Sequence, residues 1–464
     1  MFFTRPMTAR DWDHLQYYAK RVLSISGMFE VESAWRKPPM LLSREVLSAL
    51  SRCPIAILFP KLRALDLYMT DGMHCRLIGP VFSSPRLRSL KLYGMYKEVD
   101  FLLRYAPDLA TSSPLLEVID LDLRYYSYDR RPIPNPEPDG EMSKAVQSWQ
   151  HLHSVKVGPV DEDMLLHIRR LPALQSLFLQ VARTSKWLSS KRIPSFDGFK
   201  KLTIASDRGS TAVRALERIL SGPSSASLPP RLSSIVRVEC QTLYQYSLLP
   251  FTAALQRLCT HDLVDINLTY RNGKDDEDWP QLHPGHFEAL YPLTSFRNLV
   301  SLRFWLCEES CDLSATQLLD LIGHWPRLEV LRIDPFRDPI DLPTLTQLMQ
   351  SLPLGRDVAI PTIIVPADLE EFEDSPDTYP SFPRVTHLRL TYEEEGLPDF
   401  DPEGAVASLL YRIVPSIQDI QCVFGEEEDY LKVVMNTIKA LRQDGTLPQD
   451  IVRLPRQAQY TGRH

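Results

Sequence analysis

The residues with the most chemical potential are few and scattered. Cys307 and Cys311 bracket Cys307-Glu-Glu-Ser-Cys311, a spacing that could supply half of a zinc site. A structural zinc needs four ligands, and no second pair follows at finger-like distance. His74-Cys75, His151-Leu-His153 and His283-Pro-Gly-His286 are further short pairs, each without a nearby carboxylate cluster. They read as ordinary strand and loop residues, so no metal is expected. Carboxylates come in runs at Asp275–Asp278, Asp368–Asp374, Glu393–Glu395 and Glu426–Asp429. None has the calcium-loop spacing with its central Gly, and solvated acidic surface is the simpler reading. The chain has no Gly-x-Ser-x-Gly elbow, no Walker loop and no His-Glu-x-x-His helix. The expectation is a protein with no catalytic residues and no cofactor.

Composition narrows the classes further. With 464 residues and 44% hydrophobic residues, the chain can bury a large core. Its net charge of −7 argues against a general nucleic-acid binder, which rests on clustered positive charge. Only 18 Gly but 38 Pro describe a chain interrupted by many turns rather than a Gly-rich phosphate cradle. No apolar run approaches the ~18 residues of a membrane helix. After Met1 the N-terminus is apolar for only Phe2 and Phe3, unlike a signal peptide. Seven scattered cysteines are no disulfide framework, so a reducing compartment, cytoplasm or nucleus, is expected.

The elements that would position a binding surface come from an internal repeat. Phe59-Pro-Lys-Leu-Arg-Ala-Leu-Asp-Leu67 and Ser84-Pro-Arg-Leu-Arg-Ser-Leu-Lys-Leu92 share the phrase Pro-x-Leu-x-x-Leu-x-Leu. Related phrases begin at Leu116, Leu152, Leu174, Phe199, Leu263, Leu299, Leu328, Val385 and Ile417, with a weaker copy in Leu232–Val238. Steps between them run 25 (62 to 87), 29 (87 to 116), 36 (116 to 152) and 22 (152 to 174). The step from 328 to 385 is 57, about two repeats, and Ala359–Val365 is the place for a missing strand. The alternation Leu-x-Leu turns two side chains to one face of a short strand, and the Leu three residues earlier joins them. One such strand cannot bury its face alone, whereas a stack of them can.

Helical segments join the strands, as parallel crossovers require. Val213, Leu216, Ile219 and Leu220 form one face, and Ser314-Ala-Thr-Gln317 is a capping box leading to Leu318, Leu319, Ile322 and Trp325. Thr8-Ala-Arg-Asp11 opens a first helix, and 428–441 forms a last one, both reading as end caps. The predicted fold is α/β, an irregular leucine-rich-repeat solenoid or horseshoe of about a dozen strands. Its parallel sheet lines the concave face and its helices the convex face. The solenoid is placed at 1–445 and a polar tail at 446–464. The Pro-rich stretch 128–141 and the acidic stretches 272–277 and 393–401 read as insertions.

Positions between the buried leucines face away from the core. They include Tyr68, Lys91, Tyr93, Asp122, Phe178, Arg303, Trp305, Arg332 and Arg389. Aromatics and Arg are enriched in interface hot spots, so these residues are the candidate partner-binding set.

With these features in view, the chain resembles the repeat region of fungal F-box leucine-rich-repeat proteins. The likeness lies in the opening helix from Arg5 to Val22 and in the recurrent Pro-x-Leu-x-x-Leu-x-Leu strands, over roughly residues 5 to 445. The resemblance implies substrate recognition for a cullin–RING ubiquitin ligase, with a protein target on the concave face and a Skp-type adaptor bound through an F-box. Two departures stand out. The positions that hold Asn or Cys in the common extracellular repeat are Thr70, Met95 and Arg124 here. No Leu-Pro-x-Glu opens an F-box, and the run Met40–Leu50 leads directly into a repeat strand. A ligase-independent scaffold is the alternative implied.

Overall fold

The repeated phrase folds as a tight turn running into a strand. In the computed structural model, the amide of Leu87 donates to the carbonyl of Ser84 at 3.0 Å. Pro85 sits second in that turn, where its fixed φ is already suited to the bend. Leu87, Leu90 and Leu92 then enter the core with 0% exposure. The same closure joins Leu62 to Phe59, Leu328 to Trp325, Val385 to Phe382 and Ile417 to Val414. Each of these turns carries a proline at the same place: Pro60, Pro326, Pro383 and Pro415.

The structure describes residues 7–26, 49–50, 52–55, 57–69, 83–95, 99–124, 140–190, 196, 198–206, 208–221, 235–271, 285–306, 311–334, 340–364, 380–392, 402–422 and 428–444. The stretches 128–139, 272–277 and 393–401, the tail 446–464 and most of the run 40–50 lie outside the described residues.

The chain divides into two compact units, Met1–Ile235 and Val236–His464. The first holds β1 (Ser24–Ser26), β2 (Ala64–Met69), β3 (Ser89–Met95), β4 (Val118–Arg124), β5 (Ser154–Pro159), β6 (Ser176–Val181) and β7 (Lys201–Ser206). The second holds β8 (Arg237–Tyr244), β9 (Asp265–Arg271), β10 (Ser301–Leu306), β11 (Val330–Asp334), β12 (Asp357–Ile364), β13 (His387–Tyr392) and β14 (Asp419–Cys422). In each unit the strands lie side by side in chain order. Neighbours pair parallel throughout both. The fold is therefore α/β and repeat-like, as expected. The strand sought in Ala359–Val365 is β12.

A shared backbone device sets the register. The carbonyl just before a strand accepts two successive amides of the next repeat. Arg63 takes Arg88 and Ser89 at 2.8 and 3.0 Å, and Arg88 takes Glu117 and Val118 at 2.7 and 2.8 Å. In the second unit, Val264 takes Val300 and Ser301 at 2.8 and 2.9 Å, and Val300 takes Glu329 and Val330 at 2.8 and 3.0 Å. Backbone polar groups at the turn are thus satisfied by the adjacent repeat.

Helices return the chain to the next turn. In the first unit, helices Val99–Ser112, Gly140–Ser148 and Glu162–Arg170 pack in succession. Helix Gly209–Ser221 buries Val213, Leu216, Ile219 and Leu220, the expected face. Helix Ala9–Ala19 has the capping box of Thr8 and Asp11, with Thr8 N donating to Asp11 Oδ2 at 2.7 Å. In the second unit, helix Ala315–Gly323 has the box of Ser314 and Gln317. It buries Leu318, Leu321 and Ile322, and Trp325 follows into the core. Leu321, not the half-buried Leu319, takes the remaining inward place, since the helix turns 100° per residue. Helices Pro402–Ile413 and Glu428–Asp444 pack on each other at the end of the described chain.

Candidate partner-binding face

Strand alternation separates core from outer face. On β6, Leu177, Leu179 and Val181 are buried while Ser176, Phe178 and Gln180 are half-buried. On β10, Leu302, Phe304 and Leu306 are buried while Arg303 and Trp305 are half-buried on the opposite face. Parallel register then arranges the outer residues in rows that cross the strands.

In the first unit, one row reads Asp66, Lys91, Asp120, Lys156 and Phe178 across β2 to β6. Acid and base alternate on adjacent strands. Lys156 Nζ lies 3.4 Å from Asp120 Oδ1 and 5.1 Å from the centroid of the Phe178 ring. Burial pushes the Asp66 carboxyl above its ordinary value, and the charge of Lys91 opposes part of that rise. Tyr93 is half-buried one period further along β3. Lys91, Tyr93 and Phe178 are thus brought to one face. Tyr68 pairs Tyr93 in register, and Tyr93 pairs Asp122, but the side chains of Tyr68 and Asp122 lie outside the described residues.

In the second unit each row carries both signs. Arg237, Asp265, Ser301, Val330 and Asp357 share one row, and Glu239, Asn267, Arg303 and Arg332 the next. Arg332 forms a closed fork on Asp357, with Nε to Oδ1 and Oδ2 at 3.0 and 2.9 Å and Nη2 to Oδ2 at 2.7 Å. This is the strong bidentate geometry of a guanidinium on a carboxylate. Arg303 reaches Asp265 more loosely, Nη1 to Oδ1 at 3.6 Å, and Arg237 approaches the same carboxylate at 3.7 Å. Trp305 stands one period beyond Arg303, between Thr269 and Asp334 in register. Arg389 occupies a strand position opposite Gln421, with its side chain outside the described residues.

The carboxylates that hold these arginines were not singled out by sequence reasoning. Asp265 and Asp357 each stand one residue before the first core position of their strand. Extending the period-two pattern back one step would have placed them on the same face as Arg303 and Arg332.

Of the other groups considered for chemistry, only some fall among the described residues. Cys307, His74, Cys75 and His283 lie outside the described residues. Cys259 and Cys311 are buried, and burial pushes both thiols up to about 12. Such thiols are poor nucleophiles and poor metal ligands near neutral pH. His286 is tied to Asp312 by a short bond between Nδ1 and Oδ1. Its backbone amide also donates to Asp312 Oδ1, at 3.0 Å. Among the described residues, no cluster of three His, Cys, Asp or Glu side chains could hold a metal. Among the same residues, no helix is long and apolar enough to cross a membrane.

No protein-family model matches the chain, and no curated protein matches it.

Proposed function

We propose that this protein is a non-enzymatic recognition module. It is a leucine-rich-repeat solenoid that holds a protein partner against the outer, concave face of its sheet. Its place is that of the substrate-binding part of an F-box-type subunit of a cullin–RING ubiquitin ligase. It would act by positioning, holding a target while a separate subunit performs the chemistry. The observation that carries the reading is the row structure of the sheet face. Parallel repeats present Phe178, Arg303 and Trp305 away from the core, and these are residue types that dominate interface energetics.

Ligase membership is tested by co-expression with a Skp-type adaptor. Co-purification at equal stoichiometry supports it, and failure to co-purify removes adaptor binding from this polypeptide. A second reading, a scaffold independent of any ligase, is favoured by the lack of a Leu-Pro-x-Glu motif in the sequence. Under that reading the adaptor does not bind, while partner capture by the sheet face persists.

A further inference from the structure

We infer that the turn rim of the first unit is a second docking surface, and that it takes a short acidic segment of a protein partner. Lys61, Arg63, Arg86 and Arg88 receive the carboxylates, and the exposed Leu23 and Leu115 on either side receive apolar side chains. This surface is separate from the sheet face and does not depend on the reading given to that face.

Two adjacent turns carry the cations. Pro60-Lys61-Leu62-Arg63 and Pro85-Arg86-Leu87-Arg88 repeat one pattern, with the second residue and the fourth exposed and the Leu between them buried. Backbone bonds fix the order of the turns. The Leu23 carbonyl accepts the Arg63 amide at 2.7 Å, the Arg63 carbonyl the Arg88 amide at 2.8 Å, and the Arg88 carbonyl the Glu117 amide at 2.7 Å. Successive turns thus follow the strand spacing of roughly 5 Å.

The cations are in excess. Glu117, 2.6 Å from Arg88, is the one acid in these turns among the described residues, and none of those residues pairs with Lys61, Arg63 or Arg86. Asp66 and Asp120 belong to the outer sheet face, where Lys91 stands in register with both and Lys156 lies 3.4 Å from Asp120. Asp108, on helix Val99–Ser112, adds one more acid and still leaves a positive balance. The stretches 27–48, 70–82 and 96–105, whose side chains lie outside the described residues, each hold as many acids as bases in sequence. Matching turns of the second unit use their arginines internally. Arg327 donates to Asn298 Oδ1 at 3.3 Å, Arg384 to the Pro353 carbonyl at 3.4 Å, and Arg356 lies 3.6 Å from Glu329. The contrast extends to whole units. Met1–Ile235 carries 33 Lys and Arg against 23 Asp and Glu, whereas Val236–His464 carries 19 against 36.

The extent of the cluster selects the kind of partner. Leu23 bounds it on one side, and Leu115 and Glu117 on the other. A nucleic-acid strand would carry its phosphates past those limits onto Glu117, and a chain of net charge −7 repels a long polyanion. A short run of carboxylates flanked by apolar side chains fits within them, in the paired geometry that guanidiniums favour.

The test is a selection of random peptides displayed on phage against the full chain. Enriched sequences should hold a short run of Asp or Glu beside Leu, Ile, Val or Phe. Their fluorescein-labelled synthetic forms should bind about tenfold or more weakly to the double variant Lys61→Glu with Arg86→Glu. Arg63→Gln should weaken them in the same direction, and keeps the result readable if the double variant melts early. Trp305→Ala, on the sheet face, and Arg214→Glu, on the exposed side of helix Gly209–Ser221, should leave their binding unchanged. No enrichment, enriched peptides without acids, or acidic peptides that bind both rim variants as they bind the wild type would overturn the proposal. Peptides lost on Trp305→Ala alone belong to the sheet face and would overturn it too, while supporting that face. Oligodeoxythymidine or phosphatidylserine vesicles that bind more tightly than every selected peptide, and are lost on the double variant, would overturn the protein partner in favour of nucleic acid or membrane.

Discussion

The indole Nε1 of Trp149 donates a hydrogen bond to the carbonyl of Ser113 at 3.0 Å, across 36 residues of sequence. The bond is buried and joins the turns of two successive repeats. It belongs to a short series: Ser113 Oγ donates to the Ser84 carbonyl at 3.0 Å, and Ser84 Oγ to the Pro60 carbonyl at 3.3 Å. The second unit has its own example, where Trp325 Nε1 donates to the Leu293 carbonyl at 3.0 Å. Side chains at the corner thus satisfy carbonyls that the strands cannot reach. Trp149→Phe keeps most of the ring but leaves the Ser113 carbonyl buried without this donor. It should cost about 1–3 kcal/mol. Trp149→Ala should cost about 3–5 kcal/mol because a cavity is added. Urea denaturation of the two variants checks the order.

Leu90 and Leu331 occupy the same place in their strands and are 0% and 1% exposed. Replacing either with Asp buries an unpaired carboxylate, at a cost of several kcal/mol, roughly 2–7 even for a neutral polar group. Because repeats depend chiefly on their neighbours, proteolysis should begin in the affected unit. Leu90→Asp should expose sites in the first unit and Leu331→Asp in the second. Unchanged melting and cleavage would contradict the assigned core register.

Burial pushes the thiols of Cys259 and Cys311 up to about 12. Neither should react with iodoacetamide at pH 8 in the folded protein, and both should react in denaturant. Cys53 is half-buried and should label faster than either. Mass spectrometry of peptides after a short pulse reads all three. Prompt native labelling of Cys311 would contradict its placement against the core.

Asp312 illustrates a pH dependence with a definite sign. Burial raises its pKa, but the amide of His286 and the His286 side chain outweigh that and hold the carboxyl below 3.8. The stabilisation is therefore present above that value and is lost as pH falls through the lower folded value. Asp312→Asn should be less stable than the wild type at pH 7. The difference should close as the pH drops below 3.8. Denaturation curves at the two pH values test this, and a gap that widens in acid would contradict the pairing.

Most of the fold was legible because the repeat states it redundantly. The turn proline, the first core Leu and the Leu-x-Leu alternation all point to one strand. Where one signal fails, the repeat fades from view. In Leu352-Pro-Leu-Gly355-Arg-Asp-Val358-Ala-Ile360, Gly355 stands where other repeats have Leu, so the phrase is incomplete although the turn still closes, Gly355 N to Leu352 O at 2.9 Å. A Cβ there would meet Leu352 at 3.2 Å, so this turn is tighter against its own first residue. The outer face was legible only in part. Period two identifies which residues leave the core, but not how they pair across strands. The fork of Arg332 on Asp357 spans 25 residues and follows from parallel register, which no single phrase contains. That fork also changes how the face must be probed. Arg332→Ala would strand Asp357, whose side chain is only 15% exposed, and so would mix stability with binding.

The proposed recognition surface is the sheet face and not the helices. It is tested most directly by comparing two double variants in co-purification from the native host. Trp305→Ala with Arg303→Ala removes two outer-face side chains of β10. Tyr291→Ala with Val433→Ala removes side chains that are 47% and 46% exposed elsewhere. Each is paired with a melting curve. The expected result is loss of specific partners by the first variant, with melting close to wild type, and full recovery by the second. Equal recovery by both, or loss confined to the second, would contradict the account.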